Sequence, residues 1–367
     1  MDWQQLLFYA LPAVACAYIA WKLWRGKAKP TVTPYKVIRA PKPEVGGRKK
    51  RVCAILGGTG FVGSHVVDEF LNRGEYYVYM LGRKFRPKRT NPAADALIQV
   101  DMQDFDGLVK AFQGVDSVVD AAAAIPTTFT SVDDIWRINK QGLKNVVKAA
   151  QQAGVKNFVY ISGLRVNRDV QDKHMKAFLD SLFWGEKYVT DSNGEEGMQT
   201  CAILPGNIIG LRSDFVESLI SGKTTSFPMY DLPSSFIPVE YVARAVANAE
   251  QKLAAGCEDV AGKPFSLTGE IMSFKQFLSL PTWPHKFSPM SMWVMRLLAR
   301  MNFVCAKLTG SAPLGADLTP AIVAFFDVQL AEEYSGSPPT PEILELGPPQ
   351  SMEDCIRDLV RKYNAQP

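Results

Sequence analysis

Histidine is scarce, three in 367 residues, and the six cysteines at 16, 53, 201, 257, 305 and 355 form no Cys-x-x-Cys pair. Neither residue type recurs at metal-ligand spacing, which argues against a metal site and leaves reduced, structural thiols. Internal repeats are lacking as well. Charge is missing altogether from residues 3 to 21, WQQLLFYALPAVACAYIAW, and acid is nearly missing from residues 25 to 51, where Glu44 stands alone against ten lysines and arginines. Because the whole chain carries only +4, the remainder beyond that arm is mildly acidic. A nucleic-acid binder carries its positive charge on the folded reading surface, so this distribution speaks against one.

What is present fits a globular protein with an N-terminal attachment. The 47% apolar content can bury one large α/β core and a smaller lobe. Residues 1–24 hold about 20 helical positions, enough to cross a bilayer, with Trp3, Trp21 and Trp24 near the two ends. A cleaved signal peptide is the alternative, but Asp2 gives its leading segment the wrong charge. The basic, proline-containing stretch 25–50 reads as a linker on the positive side of the membrane. That puts the folded part in the cytoplasm or matrix, at the endoplasmic reticulum or the inner mitochondrial membrane. Expected contacts are the bilayer through residues 3–24, anionic lipid at the linker and protein partners in a membrane complex.

RVCAILGGTGFVGSHVVDEFLNRG, beginning at Arg51, runs from an apolar strand through a glycine turn into an amphipathic helix. Gly58, Gly60 and Gly63 satisfy G-x-G-x-x-G, while Gly57, Gly60 and Gly63 satisfy the related G-x-x-G-x-x-G. Placed between strand and helix, Gly57, Gly58, Thr59, Gly60, Phe61, Val62 and Gly63 are expected to cradle a dinucleotide pyrophosphate on backbone amides. The next strand ends in Gly82, Arg83 and Lys84, where an acid would bind a ribose 2′-hydroxyl and a guanidinium a 2′-phosphate. NADP(H) is therefore favoured over NAD(H). Asp101 and Met102 close one later strand, and Ala122 and Ala123 follow another, leaving room for a flat ring.

The motifs GGTGFVG, VDMQD, SVVDAAAA, INKQGLKNVVKAAQQAGVKNFVYISG, ILPGNIIG, SSFIPVEYVARAVANA and PFSLTGEIMSFKQFL occur in this order over roughly residues 51 to 362. Together they resemble the extended short-chain dehydrogenases/reductases, and within them the 3β-hydroxysteroid dehydrogenase branch. The resemblance implies a doubly wound parallel sheet of Rossmann type over 51–250 and a small substrate lobe over 251–367. It also implies a cofactor contact at Pro205 and hydride exchange with a carbinol or carbonyl.

That chemistry takes its proton from a tyrosine in a Tyr-x-x-x-Lys pair, assisted by a serine. The stretch SLFWGEKYV puts Phe183 at the tyrosine position and Lys187 at the lysine position. Gly163 stands where the serine is expected. Lys187 and Asn139 are then remnants that serve nucleotide binding, and Tyr160 and Tyr188 are the candidate replacement acids. General acid–base help is worth about 10²- to 10⁴-fold, so ordinary turnover is expected to be crippled. Two classes of function remain: a membrane-anchored NADP(H)-binding accessory subunit, and a working sterol-type dehydrogenase fed from the bilayer.

In the C-terminal part, Arg296, Arg300 and Lys307 fall within about 40° of one another on a helical wheel. An interfacial helix, one docked on a partner, or a half-buried helix of the lobe fits. The stretch SGSPPTPEILELGPPQS reads as extended and superficial, before a last helix MEDCIRDLVRKY.

Overall fold

The structure, a computed structural model, describes residues 32–39, 50–127, 129–164, 170–227, 231–314, 318, 323 and 340–365. The expected membrane segment lies outside these residues, as does most of the basic arm. Among the described residues no helix is long and apolar enough to cross a membrane.

The strands in chain order are β1 (Lys36–Arg39), β2 (Arg51–Leu56), β3 (Tyr76–Gly82), β4 (Ala96–Gln99), β5 (Ser117–Asp120), β6 (Asn157–Ile161), β7 (Gln199–Pro205), β8 (Asn207–Ile209), β9 (Ser226–Phe227), β10 (Pro233–Pro238), β11 (Lys263–Leu267), β12 (Glu270–Ser273) and β13 (Ser288–Pro289). The helices are α1 (Phe61–Arg73), α2 (Phe105–Phe112), α3 (Val132–Trp136), α4 (Leu143–Ala153), α5 (Lys173–Asp191), α6 (Asp214–Ile220), α7 (Val239–Ala254), α8 (Phe274–Leu278), α9 (Met292–Thr309), α10 (Thr340–Ile343) and α11 (Met352–Asn364).

Eight strands form the main sheet in the order β1-β4-β3-β2-β5-β6-β7-β11. All neighbours are parallel except β1, which runs antiparallel along β4. Strand order reverses between β2 and β5, and ligands of doubly wound sheets bind at the carboxyl ends of the strands beside such a point. The expected α/β fold is therefore present.

Side chains alternate across this sheet, so the central strands feed two cores. Cys53, Ile55, Val119 and Val159 pack with α1 and α7 on one face, while Ala54, Val118, Phe158 and Tyr160 pack with α2, α4 and α5 on the other. A third cluster fills the C-terminal lobe, where Phe236 stacks on Phe277 at 4.4 Å and the Trp283 indole donates to the Phe277 carbonyl at 2.8 Å. Each fully buried ring of this kind contributes about 1.5–3 kcal/mol.

Three expectations need correction. The stretch read as linker supplies the edge strand β1, because Thr33 and Tyr35 donate their amides to the Asp101 and Asp104 carboxylates and Arg39 donates to the Pro92 and Ala94 carbonyls. The boundary at residue 250 is not a single crossing. Strands β8 and β10 already belong to a separate three-stranded sheet with β12, whereas β11 returns to the main sheet beside β7. Finally, the described part of the proline-rich stretch lies at the surface over most of its length but is anchored at its start. Leu344 is fully buried in the core under α7, and Asn248 donates to its carbonyl at 2.6 Å.

One polar group ties the first core together. Glu250, on α7, is fully buried; it accepts hydrogen bonds from Tyr76 and Arg51 on one oxygen and from Ser117 on the other. Ser117 in turn accepts from Asn157 at 3.1 Å, so α7 is bolted to β2, β3, β5 and β6. Replacing the carboxyl group leaves several buried donors without an acceptor. Glu250→Ala is therefore expected to lose roughly 3 kcal/mol in urea denaturation, with Glu250→Gln losing less.

Candidate functional site

The glycine turn sits at the switch point, between the carboxyl ends of β2 and β5. Gly57 has φ +76°, and a Cβ there would stand 2.8 Å from the Ala121 carbonyl carbon. A Cβ on Gly63 would run into the Gly57 carbonyl. Both positions demand glycine on steric grounds. Helix α1 then begins at Phe61 with Gly60 as an uncapped, extended residue before it and no acid in the first turn. Its first amides are capped by no side chain and its first turn holds no acid, so the residues present fit a pyrophosphate.

The flanks of this turn bring several of the expected cofactor residues to its two sides. Thr59 abuts Gly82, so Arg83 and Lys84, both exposed, stand at the end of β3 beside the turn. Ala122 and Ala123 leave β5 beside it on the other side. Asp101 and Met102 are nearly buried at the end of β4. The Asp101 carboxylate is engaged by the Gln103 and Thr33 amides, which gives it a structural task that spacing did not reveal. Pro205 ends β7 in the interior and accepts from the Leu164 amide at 2.9 Å.

Asn139 lies in a π-helical turn, Arg137–Gly142, and is almost fully buried. Its side-chain oxygen accepts from the Ala124 amide at 2.6 Å, while its nitrogen donates to the Ala124 carbonyl and to Ser181 Oγ. It fixes the alanine segment against α5 and so positions rather than reacts.

Helix α5 is turned differently from the expectation. Ser181 and Gly185 face the sheet, where a Cβ on Gly185 would meet the Tyr160 hydroxyl at 2.7 Å. The residue that meets Gly163 is Leu182, whose Cδ1 is 3.0 Å from where a Cβ would stand on Gly163, and Ser162 Oγ donates to the Leu182 carbonyl. Lys187 instead points away, exposed, and pairs with Asp191 at 2.9 Å. Phe183 is likewise 39% exposed. A Tyr-x-x-x-Lys pair on the face that meets Gly163 would occupy positions 178 and 182. These are Phe178 and Leu182, both half-buried. The shift by five residues changes the positions and leaves the chemistry the same: neither residue can donate a proton or carry charge.

Of the tyrosines, Tyr188 stacks on Trp184 at 4.9 Å beneath Lys144, away from the strand ends. Tyr160 is buried beside Asp120 in the β5–β6 register and hydrogen-bonds Ser162; burial and the neighbouring Asp120 push its hydroxyl well above the ordinary range.

Asp120 itself was missed from sequence, although it sits inside SVVDAAAA. It is fully buried at the switch point, one oxygen accepts from the Ala122 amide at 2.9 Å, and the other has no partner among the described residues. Burial pushes its carboxyl up to about 7. The signal was an acid inside an apolar strand, which spacing rules for metal or nucleotide ligands do not weigh.

Among proteins of known sequence, residues 54–280 match the model described as the 3-beta hydroxysteroid dehydrogenase/isomerase family. The chain is 29% identical over 270 residues to the 3beta-hydroxysteroid-dehydrogenase/decarboxylase isoform 2 of Arabidopsis thaliana, covering 63% of this chain and 47% of that one. It is 26% identical to the human sterol-4-alpha-carboxylate 3-dehydrogenase, decarboxylating, covering 66% and 69%. The chain spans about half the length of several curated relatives it matches. Among solved structures, the Thermus thermophilus UDP-glucose 4-epimerase in complex with NAD superposes with a TM-score of 0.59 at 17% identity, over 86% of this chain and 100% of that one, which shows the shared fold.

The raised Asp120 pKa makes stability pH-dependent. An acid whose folded pKa lies above its unfolded value near 3.8 binds its proton more tightly when folded, so stability falls as pH climbs from about 4 through about 7. Asp120→Asn removes that penalty and keeps an acceptor for the Ala122 amide. The variant should gain about 4 kcal/mol over the parent at pH 8 and less than half of that at pH 5, read by urea denaturation at the two pH values.

Proposed function

The chain belongs to the 3-beta hydroxysteroid dehydrogenase/isomerase family, and from that premise we propose that it holds a nicotinamide dinucleotide, NADP(H) before NAD(H), beside an apolar ligand without ordinary turnover. The observation that carries this is the α5 face opposite Gly163, which offers Phe178 and Leu182 in place of an acid and a cation. The bound nucleotide would supply hydride chemistry. Gly57, Gly60 and Gly63 would let the α1 amides approach its pyrophosphate, Arg83 and Lys84 would meet a 2′-phosphate, and Asn139 would hold the wall formed by Ala121–Ala124. Neither Phe178 nor Leu182 can move a proton to or from a substrate oxygen. The role that follows is that of a nucleotide-sensing or accessory subunit, joined to a membrane through residues 3–24.

A second reading is a working dehydrogenase on a membrane sterol or related lipid. The named relatives are sterol and hydroxysteroid dehydrogenases, and their names favour this reading over a purely accessory role. It requires a proton from elsewhere, with Ser162, next to Gly163 in the chain, and the buried Tyr160 hydrogen-bonded to it as the candidate hydroxyls.

Nucleotide binding and turnover separate the two. NADPH should bind in a calorimetric titration and be lost by at least about 10-fold in Gly57→Ala, while Arg83→Ser with Lys84→Ser should weaken NADPH and spare NADH. Steady oxidation of NADPH with a panel of sterol and quinone carbonyls is expected to be absent, and robust turnover would decide for the second reading. Introducing Phe178→Tyr, Leu182→Lys and Gly163→Ser together should then raise hydride transfer by about 10²-fold or more. The same substitutions in the Phe183 register should give nothing.

A further inference from the structure

Helix α9 has two unlike sides. Met295, Ala299, Asn302 and Ala306 are buried against the lobe, and Asn302 is fastened there by donating to the Leu318 carbonyl and accepting from the Leu314 amide. On the opposite side Trp293, Leu297, Met301 and Val304 remain 66, 47, 57 and 54% exposed. Spaced three and four apart, these four occupy one arc of about 80° on a helical wheel. Directly beside that arc lie Arg296, Arg300 and Lys307, all exposed, and the helix from Met292 to Thr309 contains no acid. Large apolar side chains exposed in a continuous stripe mark an interaction surface.

The charge decides what kind. An apolar strip bordered by cations, on a helix that itself contains no acid, is suited to a surface that is apolar below and anionic above, which is the headgroup region of an acidic bilayer. Two arginines in the middle of the helix exclude a spanning orientation, since each would cost several kcal/mol at the bilayer centre. The helix also has a fixed relation to the candidate site. Phe303 stands edge-on to His174 at 6.0 Å, and His174 lies in the first turn of α5, one turn before Phe178.

We propose that the exposed face of α9 lies flat on an anionic bilayer, with Trp293, Leu297 and Met301 among the acyl chains and Arg296 and Arg300 at the phosphates. This contact is additional to the expected anchor at residues 3–24 and independent of whether the site turns over. It brings the Phe178 end of α5 to the membrane and gives an apolar ligand a short way in from lipid. Basic residues near such a surface are held by its negative potential, so the attachment is expected to be reversible by charge.

Cys305 borders the strip and is exposed, whereas Cys53, Cys201 and Cys355 are buried, with burial holding their thiols far above the reactive range. In the full chain carrying Cys16→Ser and Cys257→Ser, a polarity-sensitive fluorophore on Cys305 therefore reports on this face alone. The protein is placed in nanodiscs of phosphatidylcholine with or without phosphatidylserine, and quenching by neutral acrylamide is measured. The expected result is a blue shift and several-fold less quenching only with phosphatidylserine, both reversed by Arg296→Glu with Arg300→Glu and weakened by Trp293→Ser, with thermal melts confirming that the variants are folded. Equal quenching in both bilayers overturns the proposal. So does shielding already present in detergent, which would assign the face to another part of the chain or a second copy, or shielding that appears only on adding an acidic protein.

Discussion

Backbone meets backbone at Gly57. The turn after β2 passes so close to the Ala121 carbonyl that a methyl group at Gly57 would sit 2.8 Å from it, and the fold around the site is arranged to hold that approach. Asp120, paired in register with Leu56, fixes the Ala122 amide; Asn139 fixes Ala124 from both sides and reaches on to Ser181. The same chain of contacts therefore sets the width of the crevice and the rotation of α5. A nucleotide crevice and the face of the helix opposite it are one construction, so a change in the helix register would be felt at the glycine turn.

Much of that construction could be read from the residues in order. The strand, the glycines and the amphipathic helix after Arg51 follow from local rules that act within one βαβ unit, and the sheet order with its reversal beside β5 follows from right-handed crossovers. The rotation of α5 could not be read in the same way. Lys187 lies four residues after an aromatic, which satisfies the expected spacing, but spacing is blind to which side of the helix packs inward. Ser181 and Gly185 held the answer: a small pair four apart lets a helix approach a sheet, and the cleft-facing residues must then flank that pair, as Leu182 does. Strand β1 was hidden for another reason. Its exposed residues carry charge typical of a linker, and its place depends on Asp101 and Asp104, more than 60 residues away.

Buried acids are the second feature that composition conceals. Glu250 is satisfied by Tyr76, Arg51 and Ser117 and acts as a clamp, whereas Asp120 keeps one oxygen without a partner among the described residues. The difference is in the donors supplied by neighbouring strands. Around Glu250 three elements each contribute one. Around Asp120, among the described residues, only the Ala122 amide donates, so desolvation prevails and pushes the carboxyl group up to about 7.

The two halves of the crevice have therefore been treated unequally by the sequence. On the nucleotide side every close approach is intact: the glycines, the uncapped start of α1, the alanine wall and the asparagine that holds it. On the side opposite, three positions, Gly163, Phe178 and Leu182, are small or apolar. Losing the tyrosine alone would leave a lysine whose charge must stay hydrated or paired, and losing the lysine alone would leave a phenol without the neighbour that lowers its pKa. Replacing both with a phenyl ring and a branched alkyl chain removes those demands at once. Under the proposed reading the wall that results is drier, and suits holding an apolar molecule beside the nucleotide more than exchanging a proton with it.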